Sequence, residues 1–322
     1  MYLPKLNRLE LIDDHSITGV SLKKLTNLTR LVVYGVSEDE DSEIGDDAIS
    51  CLTNLTQLGV GWIPIITNKS ILCLVILIEL ELNSMSDITD LSLKMLTNLT
   101  RLTLSETNFV TDKSIKRLIN LTSLDISDMI SITDKSIKRL TNLTCLELCA
   151  TKISDKSIKT LTNLVRLDLT SEKFISDKSI NKLTNLERLD ISHSKIVTDL
   201  SIKKLTNLTS LCLDDVKHIT GKTITCLTNL TTLFLCAQTI KDKHLKQMTN
   251  LISLTVHDNV AASGNSIKCL TGLRYLTLYQ NDIIKTDDLF GLTNLEELEV
   301  DECRGVNMKR IRTKFPNLFR RW

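Results

Sequence analysis

Apolar and polar residues recur along this chain in one fixed order. In LTNLTRLTLSETNFVTDKSIKRL, residues 96–118, Leu99, Leu102 and Leu104 are spaced L-x-x-L-x-L. The end of that run alternates with period two, which predicts a short strand with Leu102 and Leu104 turned inward. A turn follows, and then Thr111–Asp112 opens KSIKRL. Threonine or aspartate suits a helix start, and Ile115 and Leu118 stand three apart on one helical face. The segment has room for a turn or two, of α or 3₁₀ type.

With the residue before the TNL-type leucine as anchor, the motif returns from Lys5, Asn27 and Asn54 through to Asn294 and Asn317. The period is 22 residues, broken by one stretch of 27 between Asn27 and Asn54, and it yields fourteen repeats and a clipped fifteenth. One unit cannot bury its leucines alone, whereas stacked neighbours form a continuous core.

On these residues the chain resembles the leucine-rich repeat superfamily. The half L-T-N-L-T-x-L-x-L is similar to the internalin and phosphatase-regulator type. The half at Ile132–Leu140, ITDKSIKRL, resembles the cysteine-containing repeats of F-box substrate receptors. The resemblance implies an α/β fold: a leucine-rich repeat solenoid (horseshoe), with a parallel concave sheet, short convex helices and one domain over 1–322. For function it implies a substrate receptor or scaffold, with an internalin-type adhesion surface as the alternative. The asparagine that commonly follows the strand occurs only as Asn259 and Asn281; Thr107, Met129, Thr151 and Ser194 stand there in other repeats.

The long spacing contains SEDEDSEIGDD, residues 37–47, read as a solvated acidic loop. It lacks the glycine placement and closing glutamate of a calcium-binding EF-hand loop. Leu6, Leu9 and Leu11 are already in strand register, so either Met1–Pro4 serves as the cap or something else covers that end. Residues 307–322 read as a C-terminal cap, with Phe315, Phe319 and Trp322 as an apolar lid.

Apolar residues make up 42% of the 322 and charged ones 25%, a composition that suits a buried core, and the net charge of +1 gives no global pull toward nucleic acid or membrane. The most apolar stretch, ILCLVILIELEL at 71–82, is too short to span a bilayer and holds two glutamates. The nine cysteines show no CxxC or zinc spacing and read as reduced thiols. The recurrent NLT triplets would be glycosylation acceptors in a secretory lumen, where a sugar would have to fit in repeat after repeat. A cytoplasmic, reducing location is expected, with no cofactor and no resident metal.

Three residues per strand should point outward onto the concave face. The middle column places Asp125, Glu147, Asp168 and Asp190 in succession, and Asp128 adds acid nearby. At a strand spacing of about 4.8 Å, neighbouring like charges repel by roughly 0.9 kcal/mol in water. The preceding column carries Arg101, Arg166 and Arg188 as partial compensation, so the negative excess should centre on Asp125 and Glu147. Tyr34 and Trp62 lie toward one end, and Phe234, Tyr275 and Tyr279 toward the other. Acid flanked by aromatics predicts a non-catalytic face for a protein partner, a basic peptide or basic surface. Lys113, Lys116, Lys135 and Lys138 recur on the helix side without interleaved aromatics, and read as solvated faces rather than a nucleic-acid or membrane surface.

The third column sets Asp214, Cys236 and His257 on consecutive strands, with Tyr279 next. Catalysis by a Cys–His pair would want the histidine between acid and thiol, but here the cysteine is in the middle. On an open sheet these residues read as neither an enzyme centre nor a metal site.

Overall fold

The computed structural model describes residues 5–13, 17–35, 44–236, 240–258 and 263–319, the side chains of Asn317 and Phe319 excepted. Expectations placed on Met1–Pro4, on 37–43 of the acidic insertion, on Asn259, on the Phe319 side chain and on Trp322 fall outside this set. The chain divides into two compact units, residues 1–164 and 165–322.

The first unit contains seven strands: β1 (Arg8–Ile12), β2 (Arg30–Tyr34), β3 (Gln57–Gly61), β4 (Glu79–Asn83), β5 (Arg101–Ser105), β6 (Ser123–Ser127) and β7 (Cys145–Cys149). Each pairs in parallel with the next, so sheet order is chain order. The second unit repeats the arrangement with β8 (Arg166–Asp168), β9 (Arg188–Asp190), β10 (Ser210–Leu213), β11 (Thr232–Cys236), β12 (Ser253–His257), β13 (Tyr275–Tyr279) and β14 (Glu297–Asp301).

The strand predicted over the leucine run forms as β5. Leu102 and Leu104 are buried, while Arg101, Thr103 and Ser105 face outward. The KSI segment makes a single α-turn, Asp112–Ile115, in which the Thr111 hydroxyl accepts from Lys113 N at 3.2 Å. Ile115 and Leu118 are both fully buried. Just past most strands one non-glycine residue takes a left-handed conformation, as at Ser84 (φ 52°), Glu106 (φ 52°), Asp128 (φ 56°) and Ala150 (φ 53°). This turns the chain from the sheet toward the helix side.

The helices carry a second set of bonds that the strand–helix pattern does not announce. Asp90 Oδ1 accepts from Thr111 N (2.9 Å) and Ser114 Oγ (2.6 Å), and Oδ2 accepts from Thr111 Oγ1 (2.6 Å), all in the following repeat. Asp112 treats Thr133 and Ser136 in the same way, Asp134 treats Ser154 and Ser157, and Asp177 treats Thr198 and Ser201. The T-D-x-S run is therefore a cap for its own helix and a clamp on its neighbour. Asp46, at the end of the acidic insertion, belongs to this ladder through Thr67 and Ser70. That part of the segment is architecture rather than solvated loop.

The NLT asparagines form a further ladder: Asn98 donates to Val75 O at 3.2 Å and Asn120 to Thr97 O at 2.9 Å. At the post-strand asparagine position, buried Asn281 donates to Asp258 O at 3.3 Å and accepts from Ile284 N at 3.0 Å. Thr107, also buried there, donates to Ser105 O at 3.0 Å. At the far end a seven-residue helix, Met308–Lys314, buries Ile311 and leads into a 3₁₀ turn, Pro316–Phe319.

Candidate functional site

In the first unit the outward sheet face opens with a paired row. Arg30 donates to Glu10 (3.1 Å) and to Gln57 (3.3 Å), Gln57 donates to Glu79 (2.9 Å), and Arg101 is ion-paired with Glu79. Arg101 thus spends its charge on Glu79 and not on the acids, a correction to its expected role. Arg30, Gln57, Glu79, Glu81 and Arg101 rim a shallow depression of about 120 Å³. Tyr34 lies across Gly61, where a Cβ would come within 2.8 Å of its ring. Burial, together with the Glu81 carboxylate, pushes its hydroxyl pKa up. Tyr34 is half-buried and acts partly as packing, whereas Trp62 is 53% exposed, tilted 58° to Tyr34 at 5.8 Å. Trp62 sits at the left-handed position after β3 (φ 56°), outside the three outward columns.

Asp125 and Glu147 are in direct register on β6 and β7, each half-buried. Asp128 is exposed at its left-handed position one step beyond β6.

In the second unit Asp168 and Asp190 are likewise in register on β8 and β9, as are Arg166 and Arg188. Each aspartate is hydrogen-bonded within its own turn. Asp168 Oδ1 accepts from Thr170 N (2.9 Å) and Thr170 Oγ1 (2.7 Å), and Asp190 Oδ1 accepts from Ser192 N (2.8 Å) and Ser192 Oγ (2.5 Å). Such side-chain turns compete with ladder bonds and coincide with the short three-residue strands here. Among the described residues Arg188 makes no ion pair; the compensation expected from it comes from Ser192.

Phe234 is half-buried in the middle column, next to Cys212 and Thr255. Tyr275 is 37% exposed and donates to Glu296 at 3.3 Å under the Arg274 guanidinium. Tyr279 stacks on His257, ring centroids 4.4 Å apart and 11° from parallel. The predicted aromatics are therefore not equivalent: Trp62 and Tyr275 keep exposed ring surface, whereas Tyr34 and Tyr279 are engaged.

The third-column constellation is real in space. Cys236 Sγ lies 3.2 Å from His257 Nδ1, and 3.5 Å from a carboxylate oxygen of Asp258. Burial, then the Asp214 carboxylate, pushes the Cys236 thiol up to about 12, the opposite of an activated nucleophile. Asp258 was not legible as part of this group because the residue after His257 in a regular strand points to the core; its φ of 58° breaks that alternation. The left-handed residue recurring just past most strands is the signal that could have found it. Nearby, His193 approaches Asp214 at 3.8 Å and Asp215 at 4.0 Å.

No protein-family model and no curated protein matches the sequence. Solved structures do. A leucine-rich repeat protein of Leptospira interrogans is 22% identical at a TM-score of 0.61, over 98% of this chain and 89% of that one. An internalin of Listeria monocytogenes is 23% identical at 0.57, over 94% and 87%. A chain of the yeast complex of Rad7 and Elc1 is 20% identical at 0.61, over 80% and 77%. At these identities the likeness establishes the fold. The chain is a leucine-rich repeat protein in architecture, a solenoid of parallel strands alternating with short helices.

Proposed function

We propose that this chain is a non-catalytic recognition scaffold that binds a protein on the outward face of its sheet and prefers a basic surface at its acid pairs. The observation that carries this reading is the in-register placement of like charges, Asp125 with Glu147 in one unit and Asp168 with Asp190 in the other. Stability alone gives no reason to set carboxylates about 4.8 Å apart. A cationic partner would turn that repulsion into affinity and steering. Half-exposed Phe234 and exposed Trp62 and Tyr275 supply apolar area beside polar side chains, the composition of binding hot spots.

The fold neighbours support a protein partner: Rad7 is seen in complex with a protein, Elc1. The F-box-like half of the repeat favours a substrate-receptor role in a reducing, intracellular setting. The lysines on the helix side lack the interleaved aromatics that single-stranded nucleic acid would stack on, so nucleic acid is not the proposed ligand.

A biotin ligase fused to the chain, with neighbours identified in cells, tests the reading. The double variant Asp125→Lys, Glu147→Lys should lose labelling of neighbours with basic surfaces while its melting temperature holds or rises. Unchanged labelling would remove the acidic face as the site.

A further inference from the structure

Cys236 and His257 face each other in direct register across β11 and β12. The left-handed backbone at Asp258 brings its carboxylate back to the outward side, where Oδ2 lies 3.6 Å from His257 Nδ1 and 3.5 Å from Cys236 Sγ. The Sγ–Nδ1 distance of 3.2 Å closes the triangle. A tetrahedral zinc ion with bonds of about 2.3 Å to thiolate and about 2.0–2.2 Å to imidazole and carboxylate sets those three donors about 3.4–3.6 Å apart. Three corners of that tetrahedron are present in donor type, with the two edges to Asp258 matching in length and the Sγ–Nδ1 edge slightly short. We propose that Cys236, His257 and Asp258 form a zinc-binding site on the outward face of the second unit.

The surroundings agree with that assignment. The stack on Tyr279 holds the imidazole plane with Nδ1 toward the cysteine. Asp214 approaches the thiol from the β10 side, so the group sits in a negative field that a dication relieves better than one proton does. Cys236 is 5% exposed, whereas the His257 and Asp258 side chains are 33% and 47% exposed, so the fourth corner faces water. On binding, the Cys236 thiol releases its proton to solvent as the sulfur–zinc bond forms. Neutral imidazole and carboxylate each donate a lone pair, and the ion's two charges balance thiolate and carboxylate. Sulfur and nitrogen donors select zinc over calcium or magnesium, which take oxygen. The site stands independently of the recognition reading, since it needs no partner.

The test uses the reduced, metal-stripped full chain. Zinc titrated against a chromophoric chelator should fill one tight site. Cobalt in its place should give the intense visible bands of tetrahedral coordination together with a thiolate-to-cobalt charge-transfer band. Cys236→Ser, with every other cysteine intact, should abolish that band. His257→Ala should weaken zinc by more than the ~10–100-fold typical of losing an outer-sphere contact, and Asp258→Asn should weaken it to a lesser degree. Circular dichroism checks each variant's fold, and His257→Ala decides the matter should Cys236→Ser not fold. A wild-type cobalt spectrum without a thiolate band, or one unchanged in a folded variant, overturns the proposal.

Discussion

Aspartates on the two sides of this sheet do opposite work. On the helix side, Asp90 is surrounded by donors: two hydroxyls and two backbone N–H groups from the next repeat share its two oxygens. On the outward face, Asp190 takes two bonds on one oxygen from a serine two residues along its own chain, lies against the Cys212 thiol of the next strand, and stands beside Asp168. The first kind joins repeat to repeat and recurs as Asp46, Asp112, Asp134, Asp177 and Asp242. The second meets the next repeat through the Cys212 thiol rather than through a clamp of hydroxyls and N–H groups, and it sets charge against charge. Repetition of a polar residue therefore marks architecture here, and the proposed recognition face draws on acid placed against its own kind.

The largest break in that comparison is Asp90→Ala. It removes the carboxylate acceptor of the Thr111 N–H and hydroxyl and of the Ser114 N–H, and leaves the buried Ser114 hydroxyl with Thr111 O, at roughly 1–3 kcal/mol for each donor that water cannot reach. A loss of about 3 kcal/mol is expected in urea denaturation. Asp90→Asn should cost only about 1 kcal/mol. Asn68 already fills the same position in its repeat, accepting from Thr89 N at 3.0 Å and Ser92 Oγ at 2.7 Å. The pH dependence follows from the same bonds. Burial alone would raise the Asp90 carboxyl, but the Ser114 and Thr111 hydrogen bonds outweigh it and hold the group below the ordinary 3.8. Asp46, Asp134 and Asp242 are lowered in the same way. A carboxyl lowered by folding contributes stability fully above its unfolded value and loses it as pH falls through the folded one. The wild type should therefore weaken as pH drops below about 4, and Asp90→Ala should show a shallower decline.

Strands, register and inward leucines were legible because a period-two pattern fixes which face each residue takes. The whole middle column from Glu10 to Glu299 falls in the predicted places within each unit. What was not legible depends on rotamer and backbone sign. Arg101 could have reached either Glu79 or the acids beyond it, and only its side-chain path decides for Glu79. Tyr34 reads as an exposed hot spot until Gly59 and Gly61 are seen to make room for it. Asp258 belongs to the core by alternation and to the outward face by its φ. The helix-side ladder was half legible: T-D gave the helix start, but a carboxylate reaching into the next repeat has no signature within one repeat.

The ladder has exceptions that test whether it is understood. At Gly221 the clamp aspartate is missing, and His244 of the next repeat fills the space; a Cβ on Gly221 would lie 2.1 Å from its Nδ1. His244 Nδ1 is buried and, among the described residues, has no hydrogen-bond partner, and burial lowers its pKa. Gly221→Asp should therefore overpack the site and cost about 2 kcal/mol. His244→Ser alone should also destabilise, by leaving a gap against the glycine. Together they restore the Asp–Ser arrangement found at Asp134 and Ser157, so the double variant should recover most of both losses. A coupling of about 1–3 kcal/mol in the double-mutant cycle is expected. Simple additivity would show that size complementarity is not what links the two positions.

The smallest effect should fall on the outward face, and its sign carries the comparison. Asp190→Asn keeps an oxygen for the Ser192 N–H and hydroxyl, while it removes a charge from beside Asp168. Relief of up to roughly 0.9 kcal/mol of repulsion offsets the weaker hydrogen bonds, so stability should stay within about 0.5 kcal/mol of wild type. The same substitution at Asp90 is expected to destabilise. If Asp190→Asn costs as much as Asp90→Asn, the outward aspartates are structural after all. If stability holds while labelling of a basic neighbour falls, the charge at 190 serves the partner, because a merely structural aspartate would move the first quantity before the second.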